Sequence, residues 1–161
     1  MEPGVIKIRT LKNNIQGSFY FYQQVSGSNA NQSVLLSGKI GSFGTFVAND
    51  WVLADSLASD RKVIGRVQGL HLQESLQAAF NYYEVGNFVF QDGSFKGSTL
   101  NVMGNHHSEA NNDTWSIVGG TGQFERAQGT VKKTKVQNAN GLYIGKLEID
   151  ATCTLPKTPS T

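Results

Sequence analysis

Six polar or aromatic side chains on two neighbouring predicted strands could form one binding site. They fall at the end of residues 41–51 and within residues 63–72: Asn49, Asp50, Trp51, Arg66, Gln68 and His71. Planar amides and carboxylates hydrogen-bond pairs of hydroxyl groups, and an aromatic face packs against the apolar side of a ring. If these side chains converge, the pattern indicates a site for a small saccharide.

Each of these residues also has a structural interpretation. Trp51 could be a core residue or a subunit contact rather than a stacking surface. His71 has a leucine on each side, which favours a buried, hydrogen-bonded histidine. Arg66 could form a structural ion pair with Asp50 instead of contacting a ligand. Asp50 is therefore the first candidate for ligand contact.

A glycine-rich stretch at residues 117–129 invites a phosphate-loop interpretation. A phosphate loop needs a helix after the glycines, and here the following residues alternate as in a strand. The pattern instead predicts a tight turn between two strands, the second running from 124 to 136. Gln123, Arg126 and Gln128 follow this turn and complete the candidate ligand-binding residues. No cofactor is expected.

Other reactive side chains favour ordinary structural roles. His106 and His107 stand in a polar stretch without a third ligand at metal-site spacing, so an exposed loop is predicted and no metal. Cys153 is the single cysteine and continues an apolar alternation, which indicates a buried thiol. Three lysines at 132, 133 and 135 are typical of a solvated strand face, and no nucleic-acid partner is expected.

Composition indicates one domain of many short strands. The chain has 161 residues, of which 16% are charged, 18 are glycine and 3 are proline. It contains neither an apolar run long enough to cross a bilayer nor a basic-then-apolar leader. A cytoplasmic or nucleocytoplasmic location without membrane partners is expected. Two glycosylation sequons, at Asn31 and Asn112, favour the apoplast instead, but so short a pattern often arises by chance and carries little weight.

About eight strand-like segments follow one another without clear helices between them. Residues 72–83 show a helical spacing but slide into the next strand, so a bent strand is preferred there. The pattern predicts an all-β domain over 15–155, an up-and-down antiparallel barrel or a sandwich with a ligand at its mouth. Residues 1–14 are a flexible segment or edge strand, and 156–161 are a linker.

Four motifs occur in order at residues 44–50 (GTFVAND), 64–70 (IGRVQGL), 95–100 (FKGSTL) and 118–129 (VGGTGQFERAQG). Through them the chain resembles the plant dirigent family from residue 19 to residue 155. Residues 27–32, 49–51, 68–71 and 115–120 are similar to the dirigent-like half of the monocot chimeric jacalins.

The resemblance implies an eight-stranded antiparallel barrel with an interior pocket, in a family that is usually trimeric. A homo-oligomer, dimer or trimer, is therefore expected. In the chimeric jacalins the domain is joined to a C-terminal mannose-binding jacalin-related lectin and is linked to plant defence and stress. The linker at 156–161 stands where that lectin would follow.

The resemblance also bears on catalysis. Catalytic dirigents carry an acid at the mouth, and Asp50 matches it. They carry arginine where this chain has Gln128 and an acidic residue where it has Gln123, and their aromatic residue falls near Gly86. We therefore expect a non-catalytic domain that binds a saccharide of galactose or glucose type, or a phenol. The alternatives are a dirigent that guides stereoselective phenoxy radical coupling with an outside oxidase, and a trimerisation module that gives a lectin multivalency.

Overall fold

A computed structural model describes residues 12–36, 42–77, 81–107 and 110–154. These residues form nine strands and two single-turn 3-10 helices, at Gly93–Phe95 and Gly122–Phe124. The strands are β1 (Lys12–Gln24), β2 (Gln32–Val34), β3 (Phe46–Ala54), β4 (Val63–Gln73), β5 (Asn81–Phe90), β6 (Thr99–His107), β7 (Asn112–Thr121), β8 (Gln128–Ala139) and β9 (Leu142–Thr154).

The strands close into an antiparallel barrel. From β3 to β9 each strand pairs with the next, and β9 pairs with β1 along its whole length. The barrel closes where residues 20–22 of β1 pair with residues 52–54 of β3. The short β2 pairs with residues 47–49 of β3, so eight strands form the wall and β2 extends one edge. The predicted eight-stranded antiparallel barrel is confirmed.

Strict alternation of side chains builds the wall, because successive residues of a strand point to opposite faces. In β5 the buried positions are Tyr82, Glu84, Gly86, Phe88 and Phe90, and the residues between them are more exposed. The other wall strands follow the same period, which places their apolar side chains inside the barrel.

The two halves of the interior differ in composition. The apolar end is the end of the barrel at which β3, β5 and β7 finish. There Phe90 packs against Phe95 and Phe124, with ring centroids 5.9 and 5.3 Å apart. The polar end is the opposite end, at which β4, β6 and β8 finish. Ionisable side chains lie inside the barrel near this end.

The glycine-rich stretch forms a turn at the apolar end. The predicted turn is confirmed, but β8 begins at Gln128, four residues later than expected. Gly122 and Arg126 adopt left-handed φ values of 62° and 58°, which no strand can accommodate. The intervening Phe124 is only 3% exposed, because its ring packs into the end of the barrel.

The ambiguous segment at 72–83 divides into two strand ends. Residues 72–73 finish β4 and residues 81–83 begin β5, as the preferred strand interpretation predicted, whereas residues 74–77 are outside any strand. Residues 12–14, which fall in the predicted flexible segment or edge strand, form the start of β1. Residues 1–11 and the predicted linker lie outside the described residues. Within the described ranges no helix is long and apolar enough to cross a membrane.

Candidate functional site

Three of the predicted site residues lie on the outer face of the barrel wall. The Asp50 side chain is 54% exposed, and its Oδ1 accepts a hydrogen bond of 2.9 Å from Gln68 Nε2. Arg66 Nη1 donates to the Asp50 carbonyl oxygen at 3.3 Å and lies 3.9 Å from its Oδ2. The structure therefore shows the Asp50–Arg66 ion pair considered above, at an outer-face position.

An open cleft of about 590 Å³ runs beside this ion pair. It lies between the segment that leads into β2 and the outer faces of β3 and β4. Its lining combines a larger apolar surface with amide, hydroxyl and charged groups, and its residues are Asn29, Ala30, Asn31, Gln32, Ser33, Ala48, Asn49, Asp50, Val52 and Arg66. We refer to it as the outer cleft.

Three other predicted residues point into the barrel. Trp51 is fully buried, and its Nε1 donates to Gln32 Oε1 at 3.3 Å. Asn49 is 5% exposed and its Nδ2 donates to the Val67 carbonyl at 3.2 Å. The His71 ring lies 5.5 Å from the Trp51 ring. These residues face the interior, whereas Asp50 does not.

The last three predicted residues lie at the apolar end. Gln123, Arg126 and Gln128 are exposed there, and Gln123 Nε2 donates to the Ser94 carbonyl. A small cavity of about 240 Å³ lies beside Gln123 and reaches Cys153, which is buried as predicted. The nine predicted residues thus form three separate groups, and the structure does not bring them to one mouth.

A different set of side chains does converge inside the barrel near the polar end. Each residue of the set is no more than 9% exposed, and together they come from six strands of the wall. We call this set the polar cluster; it consists of His71, Glu84, His106, Asp113, Lys133 and Tyr143.

A buried ion pair anchors the polar cluster. Lys133 Nζ lies 2.5 Å from Asp113 Oδ2. Asp113 also accepts hydrogen bonds from the backbone and ring of His107, at 3.0 and 2.6 Å. Burial alone would raise the pKa of Asp113, but the contacts with Lys133 and His107 outweigh it and lower that pKa. Asp113 is therefore an anion held by two partners.

A second pair in the cluster is neutral near pH 7. Burial raises the pKa of Glu84 to about 8, against the opposing effects of the Asn49 amide and the Lys133 ammonium. Burial lowers the pKa of His71 to about 4. Glu84 Oε2 lies 3.6 Å from His71 Nδ1, too far for a hydrogen bond. Glu84 is accordingly a carboxylic acid that can donate as well as accept.

Several polar atoms here find no hydrogen-bond partner among the described residues. They are Asn49 Oδ1, His71 Nδ1, both carboxyl oxygens of Glu84, His106 Nε2 and Tyr143 Oη. Folded proteins rarely leave buried polar atoms unpaired, so each one needs an explanation. Aromatic rings surround them, with Trp51 5.7 Å and Tyr143 5.7 Å from His106. A few convergent polar groups on an aromatic background are typical of a small-molecule site.

Two sequence predictions about this region are wrong. His106 was expected in an exposed loop, but β6 runs through it and leaves it 1% exposed. Lys133 was expected on a solvated face and is fully buried. His71 is buried as expected, but its Nδ1 lacks the predicted hydrogen bond.

The missed residues did leave a signal in the sequence. His106 shares parity with Leu100 and Val102, and Lys133 shares it with Val131. Because a period of two fixes the face, each residue had to follow its apolar neighbours inward.

Metal binding has no support from side-chain geometry in the parts of the chain described. No three His, Cys, Asp or Glu side chains there are grouped so that they could hold a metal ion. The side chains of the polar cluster can donate and accept hydrogen bonds and can transfer protons.

Comparison with known proteins places this barrel among its relatives. The family model of dirigent-like protein matches residues 15–154. Pterocarpan synthase 1 of Glycyrrhiza echinata is 36% identical over 118 residues, which cover 69% of this chain and 62% of that protein. Dirigent protein 23 of Arabidopsis thaliana is 30% identical over 133 residues, covering 80% of this chain and 67% of that one.

Solved structures agree with this placement. The pterocarpan synthase dirigent protein GePTS1 superposes with a TM-score of 0.84 at 25% identity, over 96% of this chain and 92% of that one. A pyocyanin demethylase reaches a TM-score of 0.55 at 14% identity over 84% of this chain and 98% of that one, a likeness of fold alone. The match spans 62% of the length of the Glycyrrhiza protein. The chain therefore belongs to the dirigent-like protein family.

Proposed function

We propose that this barrel binds a small, neutral phenol among the residues of the polar cluster and does not transform it. The observation that carries the proposal is the set of buried polar atoms without partners on five residues, lined by aromatic rings. A phenol would stack on those rings while its hydroxyl satisfies the unpaired groups.

The charge balance of the cluster favours binding over catalysis. A reaction that develops a phenolate needs a cation or fixed donors at the developing charge. Within the described interior, Lys133 is the buried cation, and Asp113 neutralises it at 2.5 Å. Gln123 and Gln128, at positions where the resemblance places charge, stand exposed at the opposite end.

One observation favours a catalytic alternative. Glu84 is protonated near pH 7 and lies 3.6 Å from neutral His71, which places an acid and a base side by side in the barrel interior. Two relatives carry the name pterocarpan synthase, so the family alone does not decide between a binding protein and an enzyme. In this alternative the Glu84 and His71 pair would transfer protons to and from a bound phenol.

The outer cleft supports a separate proposal of saccharide binding. Its amides, the Asp50 carboxylate and the Arg66 guanidinium offer paired donors and acceptors to sugar hydroxyls. This would suit a barrel joined to a lectin in a plant defence protein, as the resemblance to chimeric jacalins implies.

Assembly into a homo-oligomer is proposed from the outer wall. Cross-strand partners Leu70 and Val85 are 37% and 40% exposed, and Phe43 in the loop before β3 is 59% exposed. Apolar side chains grouped on an outer face often mark a contact surface. Light scattering should show a dimer or trimer that Leu70→Glu dissociates; a monomeric wild-type protein would contradict the proposal.

Calorimetric titration separates these functions. We expect 4-hydroxyacetophenone to bind the wild-type protein. The Glu84→Gln variant should bind this phenol with a changed affinity, whereas the Asp50→Ala variant should bind it with the wild-type affinity. If the outer cleft is a sugar site, galactose and glucose should bind the wild-type protein. Asp50→Ala should abolish this binding, and Glu84→Gln should leave it intact. Lack of binding of any phenol at millimolar concentration would contradict the main proposal.

Catalysis needs its own assay. Coniferyl alcohol oxidised by laccase in the presence of the protein should give racemic coupling products if the domain only binds. An excess of one enantiomer, lost in Glu84→Gln, would overturn the non-catalytic proposal in favour of the alternative.

A further inference from the structure

The polar cluster contains one histidine whose tautomer is fixed by its neighbours. Lys133 Nζ lies 3.1 Å from His106 Nδ1. The same ammonium lies 2.5 Å from Asp113 Oδ2, and this contact favours the charged form of Lys133 although burial lowers its pKa. An ammonium has donors and no acceptor, so His106 Nδ1 must accept from it. In a neutral imidazole the proton then sits on the other nitrogen, and His106 carries an Nε2–H donor.

That donor has no partner among the described residues. His106 is 1% exposed and its Nε2 makes no hydrogen bond. Burial, with the nearby Lys133 charge, lowers the pKa of His106 well below its usual value, so the ring stays neutral. A buried N–H without an acceptor is costly, by about 1–3 kcal/mol. A ligand oxygen placed against Nε2 would remove that cost.

Resting on the proposed function, we infer that His106 Nε2–H is the specificity-determining donor of the pocket and that the Lys133–Asp113 pair is its positioning device. The ligand class narrows to small phenols that carry, besides the hydroxyl, an acceptor oxygen such as a ketone or aldehyde carbonyl. An unpaired donor rejects a ligand that offers it no acceptor.

The anchoring of the ion pair supports a positioning role. A buried ion pair is weak evidence for stability, since apolar residues of similar volume often serve as well or better. Here the pair is tied to β6 by two hydrogen bonds from His107 to Asp113, at 3.0 and 2.6 Å. The ammonium is thereby held against His106, on the same strand as His107. Such an arrangement fixes one ring orientation.

The first test is spectroscopic and needs no ligand. The chain has 3 histidines, so a long-range proton–nitrogen spectrum of labelled protein is simple, and His106→Phe identifies the His106 signals. At pH 7 we expect His106 to be protonated at Nε2 alone. A ring protonated at Nδ1, or at both nitrogens, would overturn the inference whatever the pocket binds.

The second test compares two phenols of nearly equal shape. In 4-isopropenylphenol a methylene group replaces the carbonyl oxygen of 4-hydroxyacetophenone. We expect the ketone to bind wild-type protein roughly tenfold to a hundredfold more tightly, as the penalty for an unpaired buried donor implies. Equal binding of both phenols would leave the proposed function standing and overturn this inference. Failure of both to bind would overturn the proposed function and the inference with it.

The third test removes the positioning pair. Lys133→Met alone leaves Asp113 without its cation and could fail to fold, so the variant used is Lys133→Met with Asp113→Asn. In this folded double variant His106 should populate both neutral tautomers, and the preference for the ketone should fall below about threefold. The exposed neighbour Lys132→Met is the matched control and should change neither readout. A double variant that keeps the single tautomer and full preference would contradict the positioning role.

Discussion

The two halves of the barrel interior are built on the same alternation of side chains but use it differently. Near the apolar end the inward positions carry rings that pack on one another, such as Phe90 on Phe124 at 5.3 Å. Near the polar end they carry ionisable groups, several with unmet hydrogen-bonding capacity. A core selected for stability alone would resemble the first half. This contrast is what the proposed ligand-binding role of the second half predicts.

The largest effect should come from separating the buried ion pair. Lys133→Met leaves the Asp113 carboxylate buried and supported by His107 alone, so the free energy of unfolding should fall by about 3–5 kcal/mol. Urea denaturation at pH 7 measures it. The exposed neighbour Lys132→Met should lie within about 0.5 kcal/mol of wild type. A loss of unfolding free energy below about 1 kcal/mol in Lys133→Met would mean that the polar end is not organised around the Lys133–Asp113 ion pair.

A truncation near the apolar end should cost slightly less and should show no dependence on pH. Phe124→Ala leaves a cavity beside Phe90 and Phe95, and about 3 kcal/mol of stability should be lost. The same loss is expected at pH 6 and pH 8, because none of these rings titrates. A loss that changes across this range would contradict the separation of the two halves.

A moderate effect should appear in the pH dependence of wild-type stability. Glu84 has a pKa of about 8 in the fold against 4.5 as its model value, so the folded state holds the proton more tightly. The stability it contributes is therefore lost as pH rises toward 8. His71, with a pKa of about 4 against 6.5, contributes stability that is lost as pH falls below 6.5.

These opposing shifts leave a window that belongs to Glu84. Between pH 6.5 and 8 stability should decline by about 1 kcal/mol in the wild-type protein, because His71 and His106, whose pKa values are lowered, offset part of the loss at Glu84. In Glu84→Gln the decline should disappear, because the amide does not titrate. Denaturant midpoints at pH 6.5, 7.2 and 8 give the comparison, and an unchanged slope in the variant would refute the assignment.

The smallest effect should come from the outer wall. Arg66→Ala removes a long, partly exposed ion pair of 3.9 Å with Asp50. Exposed pairs contribute little, so the change in stability should stay below about 1 kcal/mol and shrink further in high salt. A loss above 2 kcal/mol would show that the outer cleft is part of the core architecture rather than a surface.

Much of the fold could be predicted because alternation and turn chemistry are local. The hairpin around Gly93 and the turn after Gly120 follow from glycine and strand patterns. The start of β8 could not be predicted, because the ring of Phe124 is drawn into the barrel end by Phe90 and Phe95, which are distant in sequence. Tertiary packing there overrides the local strand pattern.

The candidate site was harder to predict than the fold. Asp50 was favoured because of its motif, but the adjacent Asn49 and Trp51 have the inward parity, so Asp50 faces outward. Glu84, Asp113 and Lys133 lie on three different strands, so no local pattern relates them. In the fold Asp113 and Lys133 form a buried ion pair, and Glu84 is a protonated acid in the same cluster. A charged residue considered alone suggests a solvated face. A charged residue that alternates in step with the apolar residues of its strand faces the interior.

A crystal structure of the protein grown with 4-hydroxyacetophenone would show whether the polar cluster holds a ligand. We expect the phenol inside the barrel near the polar end, with one oxygen within hydrogen-bonding distance of His106 Nε2 and another near Glu84. A polar cluster whose unpaired atoms are all satisfied by ordered water, with the phenol absent or bound elsewhere, would contradict this expectation.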